Sequence, residues 1–123
     1  MNPGLTKNYI AVGALQKYRI AKHDTADGQV SLADGSAAAL MGVTHELDTA
    51  DGERIDVHRT GLVEVEYGGT VAKGDPLTSD ATGRAVVAAP AAGVNAEIIG
   101  HAEVAGVLGD IGSCLMSRGT LQG

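Results

Sequence analysis

Four histidines, one cysteine and fifteen acidic side chains are the groups in this chain that could do chemistry. His23, His45, His58 and His101 each stand alone in the sequence. No two share metal-ligand spacing, no HExxH motif is present, and no cysteine pair accompanies them. His23-Asp24 places one imidazole beside one carboxylate, so a metal-assisted hydrolase would have to be assembled from scattered positions. Structural or surface histidines are the simpler reading, and no metal site is assigned. Cys114 lies in Gly112-Ser113-Cys114-Leu115-Met116. A nucleophilic thiolate needs a lowered pKa, a histidine partner and access, whereas this apolar setting predicts a small buried core residue. There is no GxSxG elbow. Glu64 and Glu66, or Asp48 and Asp51, provide paired carboxylates, but a glycosidase also needs aromatic stacking surfaces in a cleft. The chain has no Phe and no Trp, only Tyr9, Tyr18 and Tyr67. A solvated acidic face is therefore expected. Gly68-Gly69 and Gly106-Val107-Leu108-Gly109 do not stand between a strand and a helix, as a phosphate cradle would. No catalytic, metal-binding or cofactor-binding residue is assigned, and no cofactor is expected.

Charge narrows the partners. The 123 residues carry nine Lys+Arg against 15 Asp+Glu, a formal net charge of −6. Nucleic-acid binding needs a basic face to neutralise phosphates, and single-strand readers add aromatic platforms. An anionic membrane surface is disfavoured for the same reason. No apolar stretch approaches the ~20 residues of a membrane span. The opening residues Met1 to Asn8 do not resemble a signal peptide. A single cysteine allows no internal disulfide, which suits a reducing compartment or indifference to redox.

These groups must be held by strands. Asp27-Gly28, Asp34-Gly35, Asp51-Gly52 and Thr82-Gly83 are turn dipeptides, because Gly accepts positive φ and Asp bonds nearby N–H groups. Between them the apolar period is two. Ile55 and Val57 share one face against Arg54, Asp56 and His58. Val63, Val65 and Tyr67 share one face against Glu64 and Glu66. From Ala96 to Val104 the pattern places Ile98, Gly100, Ala102 and Val104 together. Tyr9 to Lys22 reads as two strands joined near Gly13, or one strand bulged there. Ser36-Ala37-Ala38-Ala39-Leu40-Met41 is the one candidate helical turn, capped by Ser36 and stopped by Gly42. Ala88 to Gly93 is a loop, broken by Pro90 and Gly93. Eight to ten short antiparallel strands predict an all-β fold, a compact barrel or sandwich. Residues 1–7 lack alternation and read as an extended N-terminal arm. Residues 8–123 read as a single β domain.

Two resemblances follow. Gly69-Thr70-Val71-Ala72-Lys73-Gly74-Asp75-Pro76-Leu77 resembles the V-x-x-GD-x-L turn of lipoyl and biotinyl carrier barrels, without their Met-Lys or Asp-Lys-Ala attachment tip. It keeps open an alternative, a small ligand-binding or carrier-like barrel, for which an adduct on Lys73 would speak. The second covers nearly the whole chain. Ala11-Val12-Gly13-Ala14-Leu15-Gln16-Lys17-Tyr18-Arg19-Ile20 is followed by Gly42-Val43-Thr44, Asp51-Gly52-Glu53, and Val57 through Gly61. Next come Gly74-Asp75-Pro76-Leu77-Thr78-Ser79-Asp80-Ala81-Thr82-Gly83-Arg84-Ala85 and a closing strand, Ile111 to Met116. In order and spacing this is similar to the small phage capsid cement, or head decoration, proteins. The resemblance implies a β-rich fold, a homo-oligomer and attachment to an icosahedral shell, with no catalytic residues.

The expectation is then a structural virion protein, not an enzyme. It would be made in the bacterial host cytoplasm and would bind the major capsid protein on the capsid exterior. Packed DNA loads the seams between capsomers, and a homotrimer bridging them would gain avidity from repeated weak contacts. Acidic charge suits the outside of a shell. Leu5, Tyr9, Ile10 and Tyr18 are the candidate partner contacts, since tyrosine joins apolar area to a polar tip. Packing in the domain's own core is the competing reading for all four.

Overall fold

The computed structural model describes residues 6–36, 40–44, 48–90 and 92–122. They form ten strands: β1 (Thr6–Ala11), β2 (Ile20–His23), β3 (Gln29–Leu32), β4 (Leu40–Thr44), β5 (Arg54–His58), β6 (Leu62–Glu66), β7 (Pro76–Ser79), β8 (Ala85–Val87), β9 (Asn95–Ala102) and β10 (Ile111–Gln122). The first five close into a barrel in the order β1-β3-β2-β4-β5, and the last five form a sheet in the order β6-β10-β9-β7-β8. The edges of that sheet meet at one bridge, Tyr67 to Ala85. The fold is all-β, as expected. One pairing departs from the antiparallel expectation: β1 runs parallel to β3, with Ile10 opposite Gln29 and Ala11 opposite Val30. Among the described residues no helix is long and apolar enough to cross a membrane.

Period-two strands generate two apolar clusters. Tyr9, Ala11, Leu15, Ala21, Val30, Met41, Ile55 and Val57 fill the barrel. The second cluster joins the outside of the barrel to the sheet: Ile20, Leu40 and Val43 pack with Val63, Val65, Tyr67, Leu77, Ile99 and Cys114. Neighbouring residues of one strand thus enter different cores, Ile20 and Ala21 on β2, Leu40 and Met41 on β4. Strands of the shared wall are buried on both faces.

This double burial explains two corrections. The helical turn expected up to Met41 does not include Leu40 and Met41, which lie with Gly42 in β4; residues 37–39 of that expectation fall outside the described residues. Gly42 permits β4 to run against β5, since a Cβ there would meet the His58 carbonyl and come within 2.7 Å of Val57 Cγ1. Backbone approach, not helix propensity, decides this segment. On β9 the core residue is Ile99, fully buried, and not Ile98. The register between β10 and β9 shifts between Met116 and Gly119, which resets the phase. Around Gly13, whose φ is +78°, the chain makes two strands. Asp27-Gly28, Asp34-Gly35 and Asp51-Gly52 lie between strands, as turn chemistry predicts, and so do Ala88 to Pro90 and Ala92-Gly93.

A candidate contact site

The GD-P-L-T-S-D-A-T-G-R segment forms the hairpin of β7 and β8, and its tip is a clamp. Asp80 Oδ1 accepts the N–H groups of Thr82 (2.8 Å) and Arg84 (2.9 Å) and the Thr82 hydroxyl (3.1 Å), an Asx-type closure of the turn. Gly83, at φ +80°, turns its carbonyl to the Ile20 N–H of the barrel at 2.7 Å. Arg19 donates to the Thr82 carbonyl at 2.9 Å. One carboxylate joins both halves: Glu66 lies 3.6 Å from Arg19 Nη2 and 3.0 Å from Arg84 Nε. The Arg84 contact is a charge contact, because its buried Nε has no aligned acceptor. Glu66 was expected on a solvated face; here it is the ionic link between barrel and sheet, at the end of β6 where the chain leaves the sheet. The backbone adds a bond from the Glu66 N–H to the Tyr18 carbonyl, 2.8 Å, and Tyr18 takes φ +57°.

Beside the clamp, Tyr67 is fully buried and donates its hydroxyl to the Val104 carbonyl at 2.7 Å. Gly106 and Gly112 lie flat against its ring, and a Cβ on either would enter it. This seat fixes the segment after β9. Gly106 bridges Val71, and the Val107 N–H bonds the Asp110 carboxylate at 3.0 Å. The segment carries Val104, Val107 and Leu108 to the surface, and β10 adds Ile111 and Leu115. Ile111 and Leu115 share an outward face with Glu66 and Leu62, their partners on β6, and Glu64, opposite Ser113, lies between. Five of the six exposed large apolar side chains among the described residues thus fall between Val104 and Leu115, with Leu108 62% exposed. Exposed apolar side chains grouped in this way make the rim the candidate contact surface.

The residues expected to make partner contacts are dispersed. Tyr9 is 6% exposed, inside the barrel, and its hydroxyl accepts from Arg59. Ile10 and Tyr18 are half-buried. Leu5 lies outside the described residues, as do residues 1–4 of the expected arm; Thr6 and Lys7 belong to β1. The apolar rim was missed, although Val-Leu beside glycine at 107–109 is its sequence signal.

The other candidates are not gathered into one site. His23 ends β2, His58 accepts or donates a 2.8 Å bond with the Thr6 hydroxyl, and His101 is exposed on β9 opposite Leu115. His45 lies outside the described residues. Among the described residues no three His, Cys, Asp or Glu groups come together as a metal site. Cys114 is fully buried, and burial pushes its thiol up to about 12, with the Glu103 charge adding to the rise. Lys73 is exposed in a turn closed by Asp75, whose carboxylate accepts the Ala72 N–H at 2.9 Å.

Comparison with known proteins adds the lineage. A search of curated protein sequences found no match. Among solved structures the chain is similar to one described as the head fiber gp8.5 N base in bacteriophage phi29, with TM-score 0.69 and 18% identity, covering 97% of this chain and 98% of that one. That likeness is one of fold. The family model of phage cement proteins matches residues 10–108, including β2 to β9, the clamp hairpin and, of the Tyr67 seat, Tyr67, Val104 and Gly106. The chain belongs to the phage cement protein family, and it is a capsid-associated structural protein.

Proposed function

We propose that this protein braces a phage head from the outside, as repeated copies that bridge neighbouring capsomers and associate with one another, with a homotrimer as the expected assembly. Residues 8–123 would act as one β body and the N-terminal residues as an arm. The chain would bind the major capsid protein and would catalyse nothing. The observation that carries this reading is the apolar rim from Val104 to Leu115, exposed on a strand and a loop that the Tyr67 seat holds in place. Burying such side chains is the dominant favourable term in protein association. A rigid presentation reduces the entropy lost on docking. Half-buried Ile10 and Tyr18 would extend the contact on the barrel side, with Leu5 reaching out from the arm.

The test uses purified protein and undecorated heads. The wild type is expected to bind heads saturably and raise the temperature at which they rupture. Replacing Leu108 and Leu115 by Ser is expected to abolish both effects while leaving the subunit folded. Native mass measurement reads the assembly. A monomer at high concentration that ignores heads would refute the reading, as would unimpaired binding by the Ser variant.

A further inference from the structure

The inner faces of three strands end in cations at one mouth of the barrel. On β1 the inward residue before Tyr9 is Lys7. On β2 the residue two beyond Ala21 is His23. On β5 the face of Ile55 and Val57 continues to Arg59. Tyr9 forms the floor between them: Lys7 Nζ lies 5.6 Å and Arg59 Cζ 6.0 Å from its ring centroid. Arg59 also donates to the Tyr9 hydroxyl, and its Nε is buried without a hydrogen-bond partner. Arg118 is held by a 3.0 Å bond to the Leu40 carbonyl, across from Lys22 and close enough for its charge to act on His23.

The ion pairs among the described residues are Arg19–Glu66, Lys22–Asp34 and Arg84–Glu66. None reaches Lys7, Arg59 or Arg118. In a chain with a net charge of −6, these cations are thus gathered without an ion-pair partner among the described residues. The Tyr9 quadrupole attracts them but carries no net charge. Holding a partly buried guanidinium without a counterion is costly unless an anion completes the site. Arginine and lysine together suit a planar oxyanion, the fork for two parallel hydrogen bonds and the ammonium as a mobile point charge.

We propose that this barrel mouth is an oxyanion site, formed by Lys7, Arg59 and Arg118 with His23 at its rim, which receives a carboxylate from another protein chain. The choice of a protein carboxylate rests on the reading that the molecule works by contact with other chains. The site itself rests on the geometry alone. His23 reports on it. Its pKa is lowered by burial, then by the positive fields of Arg59 and Arg118. Asp24, the adjacent carboxylate, accepts the Thr25 hydroxyl at 3.4 Å. A bound anion would cancel the arginine fields, so His23 would titrate at higher pH.

The experiment follows the His23 ring by NMR in the full chain. The probes are an acetylated peptide rich in Glu and Asp, the same peptide with Gln and Asn, and inorganic phosphate. The acidic peptide is expected to shift the His23 resonances saturably and raise its pKa. The amide peptide is expected to do neither. Lys7→Gln, which changes an exposed residue, and Arg59→Gln should each weaken the acidic peptide roughly tenfold or more, as expected for a lost charge-assisted bond. No saturable shift, or the same affinity in both variants, would overturn the site. Saturation by phosphate alone would overturn the carboxylate assignment. Neither result depends on head binding, so failure here and failure of the bracing function are separable.

Discussion

Glu66→Gln removes the one charge that both halves of the molecule share, and it keeps the shape. Glu66 meets Arg84 at 3.0 Å and Arg19 at 3.6 Å, with side-chain exposures of 22%, 33% and 12% respectively. Fully exposed pairs contribute about 0.2–1 kcal/mol, and breaking a buried pair costs about 3–5 kcal/mol. This cluster lies between those limits. Arg84 is one-third exposed and Arg19 largely buried, and among the described residues the Arg19 guanidinium keeps its bond to the Thr82 carbonyl. We expect a loss of about 2 kcal/mol. At roughly 2.1 cal/mol/K of unfolding entropy per residue, 123 residues turn that into a Tm lowered by about 8 °C. The matched control is Glu64→Gln, an exposed position one strand period away with no ion pair among the described residues. It should change stability by less than about 0.5 kcal/mol. Thermal and urea unfolding at one fixed protein concentration measure both, since assembly would make Tm concentration-dependent. A double-mutant cycle with Arg84→Gln isolates the pair. Equal effects of the two Gln variants, or no coupling in the cycle, would refute an ionic link between barrel and sheet.

Further expectations concern the same framework. Gly83→Ala should lower the urea midpoint more than Gly93→Ala does. Both glycines have φ +80°, but a Cβ at Gly83 comes within 2.6 Å of Leu32 and 3.1 Å of the Ile20 carbonyl, and at Gly93 it meets nothing. The shared left-handed conformation costs about 1–2 kcal/mol, and overpacking adds about 1–3 kcal/mol at Gly83 alone. Tyr67→Phe should cost about 1–3 kcal/mol, because the Val104 carbonyl loses its donor, and it should weaken head binding without altering any rim side chain. Cys114 should resist thiol reagents in the folded protein and react on unfolding. Its native thiol stays protonated while the unfolded thiol ionises, so stability should fall as pH rises from the ordinary value of 9.0 towards about 12, as seen in urea midpoints across that range.

Strands with one wet face were legible in the sequence. Ile55 and Val57, and Val63, Val65 and Tyr67, are buried as their alternation requires. Strands buried on both faces were not. Leu40-Met41-Gly42-Val43 has no alternation, because its side chains serve two cores and its glycine serves a neighbouring backbone. The far half of β10, Ser117 to Gln122, shows no strand pattern either; its order comes from the ladder with β9. Parallel pairing of β1 with β3 is a non-local choice that no local pattern encodes. The same holds for the functional surfaces. Arg19, Glu66 and Arg84 meet across three separate segments, and Lys7, His23 and Arg59 meet only because three strands end at one mouth. The resemblance to cement proteins was carried by turn-and-strand pieces, and two of them, Ala11 to Ile20 and Gly74 to Ala85, hold residues that lock the barrel to the sheet.

That correspondence has a physical basis. With an aromatic content of 2%, the core cannot draw stiffness from large interlocking rings. It draws it from close backbone approach instead. Gly42 lets β4 lie against β5, Gly100 lets β9 lie against β10, and Gly106 with Gly112 clasps the one buried tyrosine of the sheet. Small side chains and tight ladders leave little room for rotamer exchange, so each strand's position is set by its neighbours' hydrogen bonds. A surface mounted on such a frame is already arranged before it meets a partner. The rim from Val104 to Leu115 is tied by the Tyr67 hydroxyl, the Val71 bridge and the Asp110 cap, so docking need not order it. For the bracing role proposed above, the mechanical requirement falls on the glycines and turns that hold this frame.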